Sequence, residues 1–123
     1  MNYLAIFLGG GIGSLLRYFT TVSFQKVHFF NLPLGTLLSN VIASLFLGLI
    51  VGLFLTKKIE NEALKNFLLL GICGGFSTFS TFGFENYSLI QNNQIGMSLF
   101  YMMFSIALSL VVIYLGIKMT STI

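Results

Sequence analysis

Four long apolar stretches separated by three short polar ones account for almost all of this chain. A bilayer core of about 30 Å requires about 20 helical residues. Four stretches reach that length: roughly Tyr3–Phe24, Leu32–Leu55, Leu64–Leu89 and Gly96–Ile117. Lys26–Asn31 joins the first pair, Thr56–Ala63 carries Lys57, Lys58, Glu60 and Glu62, and Asn92-Asn93-Gln94 marks the third turn. Pro33 fits an early helical position, where its missing N–H costs nothing. The pattern predicts an all-α membrane protein with four transmembrane helices, one domain over residues 1–123, with nothing left for an extramembrane domain. The first stretch, Met-Asn-Tyr-Leu-Ala onward, lacks the positive start of a signal peptide and runs too long for one, so a retained first helix is expected.

The third stretch is interrupted. Gly74–Phe82 reads Gly-Gly-Phe-Ser-Thr-Phe-Ser-Thr-Phe, and irregular backbone survives in hydrocarbon only when buried in protein or lining a polar pathway. Gly74-Gly75 favours the C-terminal stop of one half-helix. Ser77 or Thr78 then caps the next, its hydroxyl satisfying orphan N–H groups. The expected geometry is two half-helices meeting near the bilayer midplane, with freed carbonyls able to coordinate a cation. Phe79 and Phe82 sit three apart on one face of the second half. Packing is the commoner role for such a pair, but a phenyl ring has a positive edge. Ring edges with hydroxyl and amide donors suit a small, strongly hydrated anion that must bind and leave.

Residues four apart share a helix face, and three spans carry polar or small residues at that spacing. The first has Ala5, Gly9, Gly13, Arg17 and Thr21; the second Thr36, Asn40, Ser44, Gly48 and Gly52; the fourth Tyr101, Ser105 and Ser109. Small-xxx-small faces let helices approach closely in lipid, which is the expected role of the four glycines. Gly9–Gly13 is not a dinucleotide fingerprint, since it lacks the last glycine and follows no strand. An amide in mid-helix either bonds a neighbouring helix or faces a water-filled cavity, and both readings stay open for Asn40. Arg17, one turn from its span end, reads as a structural anchor. Tyr101, Ser105 and Ser109 could bond back to their own helix; three on one face beside the broken span suggest a polar track.

Composition sharpens the class. Of 123 residues 56% are hydrophobic and only 7% charged, with a mean hydropathy of +0.95, against roughly 25% charged in soluble domains. A net charge of +3 is too small and scattered to point to nucleic acid. The single Cys73 forms no disulfide framework. Glu85 is the one acid within a span, near an end, whereas a proton-coupled exchanger needs a deeper acid. His28 falls in a loop, and no nucleophile–base, metal-ligand or phosphate-loop arrangement appears, so an enzyme is not expected. Lys57, Lys58, Lys65 and Lys118 fall on the side of the termini, against Lys26 and Arg17 on the other. That bias favours termini in the cytoplasm.

Three motifs carry a resemblance. They are Gly9-Gly10-x-x-Gly13-x-x-x-Arg17-Tyr18, Pro33-x-Gly35-Thr36-Leu37-x-x-Asn40, and Gly71-x-Cys73-Gly74-Gly75-Phe76-Ser77-Thr78-Phe79-Ser80-Thr81-Phe82. Together they resemble the Fluc (CrcB) family of fluoride channels over essentially the whole chain. The resemblance implies an antiparallel dual-topology homodimer in a bacterial inner membrane, with two fluoride pores and a structural Na+ on the two-fold axis. It implies passive fluoride export that relieves toxicity. Asn40, Phe79, Phe82, Ser80, Thr81, Tyr101, Ser105 and Ser109 would form the fluoride pore, with Glu85 at a pore end. Gly74 and Ser77 would offer backbone carbonyls to sodium, with Arg17 and Gly75 structural. Ser77 stands where threonine is usual and Ala43 where glycine is common. Two other readings compete: a small dual-topology multidrug transporter, which relies on a first-span carboxylate that this chain replaces with Arg17, and a non-conducting membrane subunit.

Overall fold

A computed structural model describes residues 1–27, 29–57 and 60–122; His28 and Lys58 lie outside the described residues. α1 runs Asn2–Phe24 and α2 Leu34–Lys57. The third span covers Glu62–Gln91 in two halves. Its first half, α3 (residues 62–76), consists of Glu62–Lys65, a π-helical stretch Asn66–Cys73 and a last turn Gly74–Phe76. Its second half, α4, is Phe79–Gln91, and α5 is Ile95–Ser121. The four spans are each long and apolar enough to cross a membrane, as the hydrophobic pattern predicts.

The ends differ from the sequence expectation by a few residues, for local reasons. α2 and α5 continue past their apolar stretches, and hydroxyls near their ends bond back to the helix. Thr56 Oγ1 donates to the Gly52 carbonyl (2.8 Å) and Thr120 Oγ1 to the Gly116 carbonyl (3.1 Å), a local bonding mode open to Thr. Pro33 stands just before α2 rather than inside its first turn, its carbonyl accepting from the Leu37 N–H (3.1 Å).

Glycine faces set the packing. A Cβ on Gly9 would strike the Phe67 carbonyl and Gly71, one on Gly13 the Ile72 carbonyl and Phe76, and one on Gly75 the Gly10 backbone. Likewise Gly48 lies on Ile113, Gly52 on Ile117 and Thr120, and Gly116 on Leu45 and Leu49. Both sets of contacts advance together along the two sequences. α1 and α3 therefore run parallel, as do α2 and α5, which is the geometry of spans alternating in direction. The expected packing role of Gly9, Gly13, Gly48 and Gly52 holds. In lipid such backbone approach is what drives association, since apolar burial between helices adds little.

The break in the third span falls at the expected cap, Ser77 and Thr78, but the first half-helix does not stop at Gly74-Gly75. Gly74 is right-handed helical, φ −65° and ψ −38°, no glycine takes a positive φ among the described residues, and helix persists to Phe76. The chain leaves helical geometry at Ser77 (ψ 155°) and Thr78 (φ −149°, ψ 123°). Gly75, with Gly71 one turn earlier, is instead used for proximity: Gly71 meets Gly9 and Gly75 meets Gly10. A side chain added at Gly71 or Gly75 would separate the helices.

Candidate functional site

Two hydroxyl residues build the break. Thr78 caps α4, its Oγ1 accepting from the Thr81 N–H (3.3 Å), as an N-cap hydroxyl should. Its backbone is held from outside by Asn40. The Thr78 N–H donates to Asn40 Oδ1 (2.7 Å), and Asn40 Nδ2 donates to the Thr78 carbonyl (3.2 Å). Of the two readings open for Asn40, bonding to a neighbouring helix is therefore realised. Its amide has two N–H donors, however, and the residue also lines a cavity.

These bonds have a consequence for two carbonyls. In an uninterrupted helix the Thr78 N–H would bond the Gly74 carbonyl and the Thr81 N–H the Ser77 carbonyl. Both N–H groups are directed elsewhere, to Asn40 Oδ1 and Thr78 Oγ1. Gly74 and Ser77 thus present carbonyl oxygens without their helical amides, hard donors of the kind that bind hard cations. Ser77 keeps its own N–H and Oγ on the Cys73 carbonyl (both 3.0 Å).

Beside the break lies a cavity of about 310 Å³ lined by Asn40, Ser44, Ser77, Thr78, Phe79, Phe82, Ser105, Ile106, Ser109 and Leu110. None of these is charged. Five of the anticipated pore residues (Asn40, Phe79, Phe82, Ser105 and Ser109) meet here, together with Ser77. The phenylalanine rings are 5.9 Å apart and tilted. Phe82 is buried (9% exposed) against Tyr101, with ring centroids 5.1 Å apart, whereas Phe79 is 82% exposed. Ser105 is buried, and its Oγ has no hydrogen-bond partner among the described residues. Neither it nor Tyr101 bonds back to its own helix. A buried hydroxyl left unpaired in this way is costly unless something else supplies the partner.

Tyr101 points the other way. Its phenol donates to Glu85 Oε2 (2.9 Å), and Thr36 Oγ1 donates to Glu85 Oε1 (2.5 Å). The carboxylate thus spans α2 and α5 from α4 and borders a second cavity, with Tyr18, Thr21, Pro33 and Thr36 among its walls. Ser80 and Thr81 are exposed, their hydroxyls gathered on Thr78 Oγ1 (3.4 and 3.2 Å). Within this single chain they do not face Tyr101, Ser105 and Ser109. Arg17 is partly buried on α1.

Sequence reasoning overlooked three contributors. Thr36 belongs to the second-span stripe yet was not linked to Glu85. Ser44 follows Asn40 by one turn in the same stripe. Asn86 and Ser98, a buried pair between α4 and α5, left one faint signal: Ser98 precedes Tyr101 by three and extends the serine face of α5.

A family model described as CrcB-like protein, Camphor Resistance (CrcB), matches residues 4–117. The chain is 39% identical over 112 residues to the Fluoride-specific ion channel FluC of Flavobacterium psychrophilum, covering 91% of this chain and 90% of that protein. It is 38% identical over 120 residues to the Fluoride-specific ion channel FluC of Nitrobacter winogradskyi, covering 98% and 95%. With the protein of the same name from Rhodopseudomonas palustris it shares 33% identity over 123 residues, covering 100% and 99%.

Proposed function

This chain belongs to the CrcB-like family, and from that premise we propose that it is a passive fluoride-selective channel of the bacterial inner membrane. The observation that carries the reading is the uncharged cavity at the helix break. Phe79, Phe82, Asn40 and the unpartnered Ser105 hydroxyl meet in it. An anion there meets ring edges, an amide and a hydroxyl, all of them donors without full charge. Such a wall compensates dehydration of a small ion and still lets it leave. The side chains lining the cavity do not titrate, which supports passive flow over coupling to protons there. Where acid carries fluoride inward as HF and the more alkaline cytoplasm ionises it, downhill flow is outward, which makes the channel an exporter.

A second copy of the chain, inverted in the membrane, completes the pore. Two observations support this: Phe79 is 82% exposed, and Ser80 and Thr81 look away from the serine face of α5. The same copy would bring a second pair of Gly74 and Ser77 carbonyls to the two-fold axis. Four such oxygens, freed of their helical amides, suit a structural Na+. The ion would tie the two breaks together and take no part in conduction. Arg17 and Gly75 remain structural in this scheme, and Glu85 closes one end of the path.

Purified protein in liposomes loaded with fluoride and chloride tests the reading. Fluoride is expected to escape rapidly once an ionophore relieves the voltage, with chloride retained. Equal release of the two anions would refute selectivity, and retention of both would refute conduction.

A further inference from the structure

We propose that the buried Asn86–Ser98 pair is a positioning element that fixes the rotation of α4 about its own axis, and so fixes Phe82 on the ion path. The proposal rests on the channel reading above. α4 does not continue the helix of α3, because the chain is extended at Ser77 and Thr78 between them. Nor is it seated by a glycine face: a Cβ on Gly83, its one glycine, would meet open space. Side-chain ties must therefore set it.

Asn86 is 5% exposed and Ser98 0% exposed. Ser98 Oγ donates to Asn86 Oδ1 (2.9 Å), with the Asn86 carbonyl also within 3.4 Å. Asn86 Nδ2 in turn donates to the Phe82 carbonyl (2.9 Å). One amide thus couples the first turn of α5 to the residue whose ring lies 5.1 Å from Tyr101. Turning α4 by one residue is a rotation of about 100°. It would strip Asn86 Oδ1 of its donor in an apolar setting, where an unpaired acceptor is costly. The same turn would lift Phe82 off Tyr101.

The neighbouring Glu85 also reaches α5, but it borders a cavity on the proposed ion path. Asn86 and Ser98 line neither cavity described above. They can stay paired while an ion passes, which is what a positioning element requires.

The test compares wild type, Ser98→Ala, Ser98→Thr and the exchange of Asn86→Ser with Ser98→Asn in proteoliposomes. It reads fluoride efflux and the ratio of fluoride to chloride efflux. The ratio does not depend on how much protein is folded, so a loss of stability alone leaves it unmoved. Misplacing a site group by about 1 Å can cost about a hundredfold, and Ser98→Ala is expected to lower the ratio by at least about tenfold. Ser98→Thr, which keeps the hydroxyl, should retain it, and the exchange should restore most of it. If Ser98→Ala does not purify as folded protein, Ser98→Cys, a weak donor of similar size, is expected to show an intermediate ratio. A wild-type ratio in Ser98→Ala or Ser98→Cys overturns the positioning role. Wild-type vesicles that hold fluoride overturn the channel reading and this proposal with it.

Discussion

Asn40 commits its carbonyl and one N–H to the backbone of Thr78, so its loss acts on the helix break as well as on the cavity. Asn40→Asp keeps an acceptor for the Thr78 N–H but has no proton for the Thr78 carbonyl, and it places a charge in an uncharged cavity. Fluoride efflux in liposomes should fall by at least about tenfold, and a wild-type rate would contradict the role given to Asn40. The two phenylalanines should separate by stability. Phe82→Ala removes a buried ring, at about 3–5 kcal/mol in well-packed sites. Phe79 is exposed within the single chain, so Phe79→Ala should cost stability only as far as a second copy covers the ring. Both should abolish efflux, and Phe82→Ala should lower the melting temperature of the purified protein more than Phe79→Ala does. A melting temperature unchanged by Phe82→Ala would contradict the packing of its ring on Tyr101.

Among elements, the same residue type serves opposite ends. A Cβ on Gly13 would run into the Ile72 carbonyl, whereas one on Gly83 would meet nothing. Gly13→Ala is therefore expected to destabilise the α1–α3 crossing by about 1–3 kcal/mol, the usual cost of overpacking. Gly83→Ala should be neutral or stabilise by about 0.5–1 kcal/mol through helix propensity. Thermal melts in one detergent check both, and similar melting temperatures would deny the close crossing. Glycine stripes at a spacing of four were legible as packing faces. Which glycine ends a helix was not legible, because a Gly-Gly pair offers both freedom of φ and closeness of approach. The neighbour that decides between them, α1, is remote in sequence. The cap at Thr78 was legible because it is local: a hydroxyl three residues before the N–H it accepts.

For the whole molecule, the alternation of spans puts Lys57, Lys65 and Lys118 at one end and Lys26 at the other, with Arg17 about two turns inside the end of α1. That distribution bears on orientation, since Lys and Arg near span ends hold their side in the cytoplasm. An inverted pair needs both orientations in one membrane. Neutralising Lys65 and Lys118 should bring the populations close to equal, as read by C-terminal reporters that are active on only one side. If every copy of that variant keeps its termini cytoplasmic, the inverted dimer is untenable.

The sequence by itself determined the four spans, the interruption of the third and the residue types gathered there. Hydrophobic length, helical period and capping chemistry are local properties that a chain carries without its fold. Only the tertiary structure decided which partners those residues take. Asn40 on Thr78, Tyr101 and Thr36 on Glu85, and Ser98 on Asn86 are bonds between helices. Their pairing depends on how far each helix is turned and how closely glycine lets it approach. The run Gly74–Phe82 shows the division plainly. Its composition announced a break, and the fold places that break at Ser77 and Thr78 while Gly75 packs against α1.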